Sequence, residues 1–177
     1  MGPFDCASVT LAACRSVLRR LTEDDLARPT PCAEYTAGQV GQHVVRSMAL
    51  LASVAGAAAG STIAGSLEEQ VTVSAEAALA AWRRRGLGGS VAVGRSTLPA
   101  SQAVEIIPLE LLVHGWDIAR ATGSEIDVPP EVASYVLGRA RELVTSDKRG
   151  RSFAAEVPAG PQATVLERLI AFTGREP

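Results

Sequence analysis

The stretch Leu109-Glu-Leu-Leu-Val-His-Gly-Trp-Asp-Ile-Ala-Arg120 is too apolar for a surface helix, yet it carries Glu110, His114 and Asp117. At about 100° per residue these three fall within a stripe roughly 60° wide on one helix face. Burying two carboxylates and an imidazole without partners would cost several kcal/mol. A shared divalent cation is one arrangement that removes this cost. A helix of this kind belongs inside a bundle, so the stretch predicts an all-α fold. The other of the two histidines, His43, also sits in an apolar helical run.

Working outward, the helix that holds the stretch is expected to start near Ala100 or Ser101 and to stop before Gly123. Pro108 lies inside it, predicting a kink just before Glu110 or a break with a fresh helix from Pro108. Upstream, Ser90 to Leu98 alternates and suggests a short hairpin or an extended crossover. Ser66 and Glu69 form a capping box for a helix over Leu67–Arg85, ended by three arginines and Gly86. Thr36 is the expected N-cap of a helix to about Ala55, on which His43 shares a face with Gln39, Val40, Ser47 and Leu50. The two prolines of Arg28-Pro-Thr-Pro-Cys-Ala-Glu-Tyr force an extended path before it. At the start, Val9, Ala13, Val17 and Leu21 space out a first helix over Asp5–Leu21, and the Thr22 hydroxyl is expected to cap a short turn by accepting from free amides.

Downstream, Val128-Pro-Pro-Glu opens a helix through Val144, and Ser146–Gly150 reads as a polar turn. Ser152–Pro161 reads as an extended tail and Ala163–Phe172 as a closing helix. The expectation is therefore one domain over residues 1–177. It is a four-helix bundle with long connections, a hairpin element near 90–98 and extra C-terminal helices.

Composition narrows the function. The net charge of −2 provides no basic field for nucleic acid or anionic lipid. Met48 to Gly65, the longest weakly polar run, is too poor in Leu, Ile and Val to span a membrane. Cys6, Cys14 and Cys32 match neither a zinc-finger spacing nor a disulfide framework, and no secretory signal opens the chain. A cytoplasmic protein with reduced thiols is expected, with no membrane or nucleic-acid partner and with a homodimer left open.

On residue types alone, His43 together with the i,i+4 pair Glu110 and His114 gives two imidazoles and a carboxylate. Catalytic zinc sites use this set and leave a fourth position open. The competing reading is a pair of core histidines satisfied by hydrogen bonds. Asp117 either orients a ligand imidazole or accepts a proton, or else pairs with Arg120 at i+3. Arg46, one turn after His43, either meets an acidic substrate or cofactor or lies on the surface. Cys32 reads as a buried loop thiol, Cys6 and Cys14 as core fillers, and Trp116 as a packing residue. Tyr35 reads as a helix-entry staple, and Arg83–Arg85 as a solvated helix end.

These segments have a familiar look. Arg28-Pro-Thr-Pro-Cys-Ala-Glu-Tyr-Thr, His43, the stretch Leu109–Gly123 and the closing Arg168-Leu-Ile-Ala-Phe-Thr-Gly-Arg-Glu-Pro together resemble the mycothiol-dependent maleylpyruvate isomerase metal-binding domain, a branch of the DinB-like superfamily, in its short stand-alone actinobacterial form. The resemblance implies a DinB-like bundle with His43, Glu110 and His114 as metal ligands. Zinc is the expected ion and nickel an alternative. It also implies mycothiol, or bacillithiol in related branches, as a thiol cosubstrate that attacks a small electrophile by S-transfer or reversible addition. Pro31-Cys-Ala-Glu-Tyr departs from the family's Pro-Cys-Pro-Gly-Trp, and the isomerases carry a second, C-terminal domain for which these 177 residues leave no room. A non-catalytic protein that binds a metal or small ligand is the alternative of another class. In a structural site Asp117 would be the fourth ligand.

Overall fold

The computed structural model describes residues 1–58, 63–150 and 153–177. Four helices form a ring: α1 (Pro3–Leu18), α2 (Ala37–Val54), α3 (Leu67–Arg85) and α5 (Ile106–Thr122). α1 packs on α5 and α3, and α2 packs on α3 and α5, so each helix has two neighbours in the ring. A hairpin of β1 (Ser90–Val93) and β2 (Ser96–Pro99) and the single turn α4 (Ala100–Ala103) join α3 to α5. Outside the ring, α6 (Pro130–Leu143) packs against α7 (Val165–Phe172) and also touches α1 and α5.

The helix starts follow the capping chemistry of the sequence. Thr36 caps α2, with Gln39 returning its side chain to the Thr36 amide at 2.9 Å. Ser66 and Glu69 do the same for α3, with contacts of 3.2 and 2.7 Å. Gly86 ends α3 at φ 77°, a conformation that other residues seldom adopt. The hairpin pairs Ser90 with Pro99 and Val93 with Ser96 in antiparallel register. Trp82, Met48, Ile107, Leu111 and Leu112 fill the centre and are fully buried. α5 is buried almost all round, and at Gly115 it runs close to its neighbours: a Cβ there would lie 2.7 Å from Ile126 Cδ1 and 3.4 Å from Cys14 Sγ.

Four expectations need correction. Of the two readings at Pro108 the break is the one found, but earlier than expected: it falls at Val104–Glu105, and Pro108 is the third residue of the new helix. The carbonyl that residue 108 would otherwise use, Val104 O, is taken by the Ile107 amide at 3.1 Å. The first helix spans Pro3–Leu18 where Asp5–Leu21 was expected, so Leu21 lies past its end. The Thr22 hydroxyl accepts from no amide among the described residues; only the Thr22 carbonyl does, from the Asp25 amide at 3.2 Å. The Thr22 hydroxyl and amide both donate to Asp25 Oδ2, at 2.8 and 2.9 Å. The closing helix starts at Val165 behind the N-cap Thr164, and Ser152, at the head of the expected tail, lies outside the described residues. Among the described residues no helix is long and apolar enough to cross a membrane.

Candidate metal centre

α2 and α5 lie side by side, and His43 and Glu110 meet where they touch. His43 Nε2 lies 3.3 Å from Glu110 Oε2, and His114 Nε2 lies 3.8 Å from the same oxygen. The two imidazoles meet edge to face, with centroids 4.9 Å apart. One ligand atom from each of His43, Glu110 and His114 falls within 4.8 Å of the others. Metal–donor bonds of about 2.0–2.1 Å place neighbouring donors of a tetrahedral site about 3.3 Å apart, close to the spacing seen here.

The protonation pattern strengthens the fit. His114 Nδ1 lies 3.0 Å from Asp117 Oδ2. A carboxylate only accepts, so Nδ1 is the donor to Asp117 and Nε2 is the nitrogen turned toward Glu110. Glu110 Oε2 is itself buried and has no well-formed hydrogen bond. A buried carboxylate oxygen without a well-formed partner, with two ring nitrogens beside it, is a place that a cation would fill. Without one, burial pushes the Glu110 carboxyl up, but the contact with His43 and the charge of the two imidazoles outweigh burial and hold it down to about 2. His43, for its part, is raised above the usual histidine range by its contact with Glu110.

Asp117 is fully buried, and its partner is not Arg120, which is exposed. Arg175, from the chain's last residues, donates Nε to Oδ1 at 2.6 Å and its terminal nitrogen to Oδ2 at 2.8 Å. Burial works against the Asp117 carboxylate, but His114 and Arg175 outweigh it and keep its pKa below the ordinary range. Both of its oxygens are therefore engaged, and Asp117 supports the outer nitrogen of His114 instead of facing the His43 group. Sequence reasoning missed Arg175. The quoted Thr-Gly-Arg motif contained it, but no spacing ties residue 175 to residue 117.

The other expected residues fall into place around this pair. Cys32 converges with His114 and Asp117 in a second set that excludes His43 and Glu110. Burial and the Asp117 charge raise its thiol, so it stays protonated. Tyr35 stacks on His43 at 6.0 Å between centroids and forms part of the site wall, where a helix staple had been expected. Arg46 is exposed and does not line the cavity. Trp116 packs toward the Arg120 side of α5, away from the histidines. Cys6 and Cys14 are core fillers, and burial pushes both thiols up to about 12. A cavity of about 360 Å³ opens onto His43, Glu110 and His114, and its walls include Leu50, Val93, Ile106, Leu109 and Phe153.

Comparison with known proteins shows the family. The model of the mycothiol maleylpyruvate isomerase N-terminal domain matches residues 9–87, a span that includes His43. Two uncharacterized proteins of Mycobacterium tuberculosis, Rv0738 of strain H37Rv and MT0763 of strain CDC 1551, are each 30% identical over 183 residues. Each alignment covers 99% of this chain and 98% of the relative. The chain belongs to the mycothiol maleylpyruvate isomerase N-terminal domain family. No solved structure gives a significant match. Glu110 and His114 lie beyond the 9–87 match, so for the family's domain in this chain the α5 half of the triad rests on the geometry above.

Proposed function

We propose that His43, Glu110 and His114 hold a divalent metal ion, zinc before nickel, and that this single cytoplasmic domain uses mycothiol against a small electrophile. The observation that supports this most is the convergence of two imidazole Nε2 atoms on the orphaned, buried Glu110 Oε2, beside a cavity. Both Asp117 oxygens are spent elsewhere, so the triad has an open side. When bound, such an ion supplies a positive charge that keeps a thiol ionised at neutral pH, below its free pKa of about 8.5.

The chain's own residues do the rest. Asp117 fixes the tautomer and the ring plane of His114, and Arg175 fixes Asp117. Leu50, Val93, Ile106 and Phe153 exclude water and accept the apolar body of a substrate. Cys32 stays protonated, which leaves the nucleophile to the small thiol. S-transfer, or addition and release that isomerises a double bond, is the reaction class that fits, and the family's name supplies the thiol.

Cobalt-substituted protein tests this reading. Adding mycothiol is expected to produce a sulfur-to-cobalt absorption band, and His114→Ala is expected to cut metal content at least about tenfold while the bundle stays folded. Tight metal with a spectrum indifferent to thiol would favour the binding protein without turnover. Full metal in the His114→Ala variant would refute the ligand set.

A further inference from the structure

Arg175 is the cationic side chain that lines the cavity among the described residues, and it is not free. Its Nε and one terminal nitrogen grip the two oxygens of the fully buried Asp117, and its other terminal nitrogen leans toward the Thr173 carbonyl at 3.5 Å. A substrate carboxylate entering here would meet apolar walls, a guanidinium already paired and the Glu110 carboxylate. We propose that the Asp117–Arg175 pair is a specificity lock, which withdraws the cavity's cation from substrates and makes the site select uncharged, apolar electrophiles over anionic ones. This rests on the metal-and-thiol reading above. With a dication held, the fixed charges are Glu110, Asp117, Arg175 and the ion, which sum to one positive charge. One thiolate cancels it, and a second anion would be buried without a partner, at a cost of several kcal/mol.

A matched pair of chloroarenes reads the selectivity: 1-chloro-2,4-dinitrobenzene and 4-chloro-3,5-dinitrobenzoate. In both, the sulfur attacks the carbon bearing chlorine, the S–C bond forms, chloride leaves with its electron pair, and the thiol proton passes to solvent. Rates with mycothiol and zinc-loaded protein are divided by those of the free thiolate, which removes intrinsic reactivity. The neutral substrate is expected to be favoured at least about tenfold, or about 1.4 kcal/mol. Asp117→Asn releases the guanidinium, and the charged-to-neutral ratio should rise about fivefold or more whatever happens to the overall rate. Leu50→Arg, a change at an exposed position of the rim, should move the ratio the same way if the first variant does not fold.

Equilibrium dialysis of metal-free protein with the unreactive amines, 2,4-dinitroaniline and 4-amino-3,5-dinitrobenzoate, gives a readout independent of turnover. The neutral amine should bind more tightly, and Asp117→Asn should narrow the gap. Equal handling of both pairs by wild type, or ratios unmoved in both variants, would overturn the lock while leaving the metal-and-thiol reading intact. Protein that takes up neither zinc nor mycothiol would overturn both.

Discussion

At the scale of single residues, the site depends on which way each lone pair points. His114 has two ring nitrogens, and Asp117 decides which of them faces Glu110. Removing that support frees the ring to rotate and to change tautomer, so Asp117→Ala should weaken metal binding by about 10–100-fold, measured by competition with a chromophoric chelator. An unchanged affinity would mean that His114 needs no orientation. A second buried carboxyl belongs to none of the candidate ligands. Glu105, ahead of α5, accepts from Tyr135 at 2.5 Å and leaves its other oxygen unpartnered. Burial raises its pKa, opposed by Tyr135 and by the charge of Arg139, while Glu142 adds to the rise.

A carboxyl whose folded pKa is raised contributes stability that is complete below its unfolded pKa and is lost as pH climbs through the folded one. Denaturant unfolding of the metal-free protein should therefore show a fall in stability from about pH 5 upward that Glu105→Gln removes. A fall of equal size in the variant would assign the effect elsewhere.

At the scale of elements, α5, which carries Glu110 and His114, begins two residues before Pro108, and this makes the proline harmless. Its missing amide falls in the first turn, where amides have no helical partner, and the Val104 carbonyl is already occupied. Pro108→Ala should thus change stability by less than about 1 kcal/mol and leave metal content intact, in contrast to the roughly 3 kcal/mol of an interior proline. A large gain in stability would show that the proline strains α5.

The capping boxes at Thr36 and Ser66, the hairpin and the closing helix were legible because their chemistry is local. A hydroxyl and an acid or amide three residues apart declare themselves in any sequence. A break near Pro108 was one of two readings, but its position at Val104–Glu105 was not legible, because it depends on how the hairpin delivers the chain to the bundle. Nor does helical period alone say which face is buried, since the neighbouring helices decide that.

At the scale of the molecule, the site is assembled from distant parts of the chain. α2 brings His43, α5 brings Glu110 and His114, the hairpin brings Val93, and the last residues return to lock Asp117. The i,i+4 pair and the lone second histidine could be seen in sequence, because both histidines fell on positions that pointed to one chemistry. Arg175 could not, since a contact across 58 residues leaves no periodic trace.

X-ray absorption at the metal edge, on zinc-loaded protein with and without mycothiol, tests the centre most directly. The account predicts two imidazoles and light oxygen donors with no sulfur in the resting protein, and a single sulfur at about 2.3 Å once the thiol is added. Sulfur already bound in the resting protein, or a sphere with fewer than two imidazoles, would contradict it.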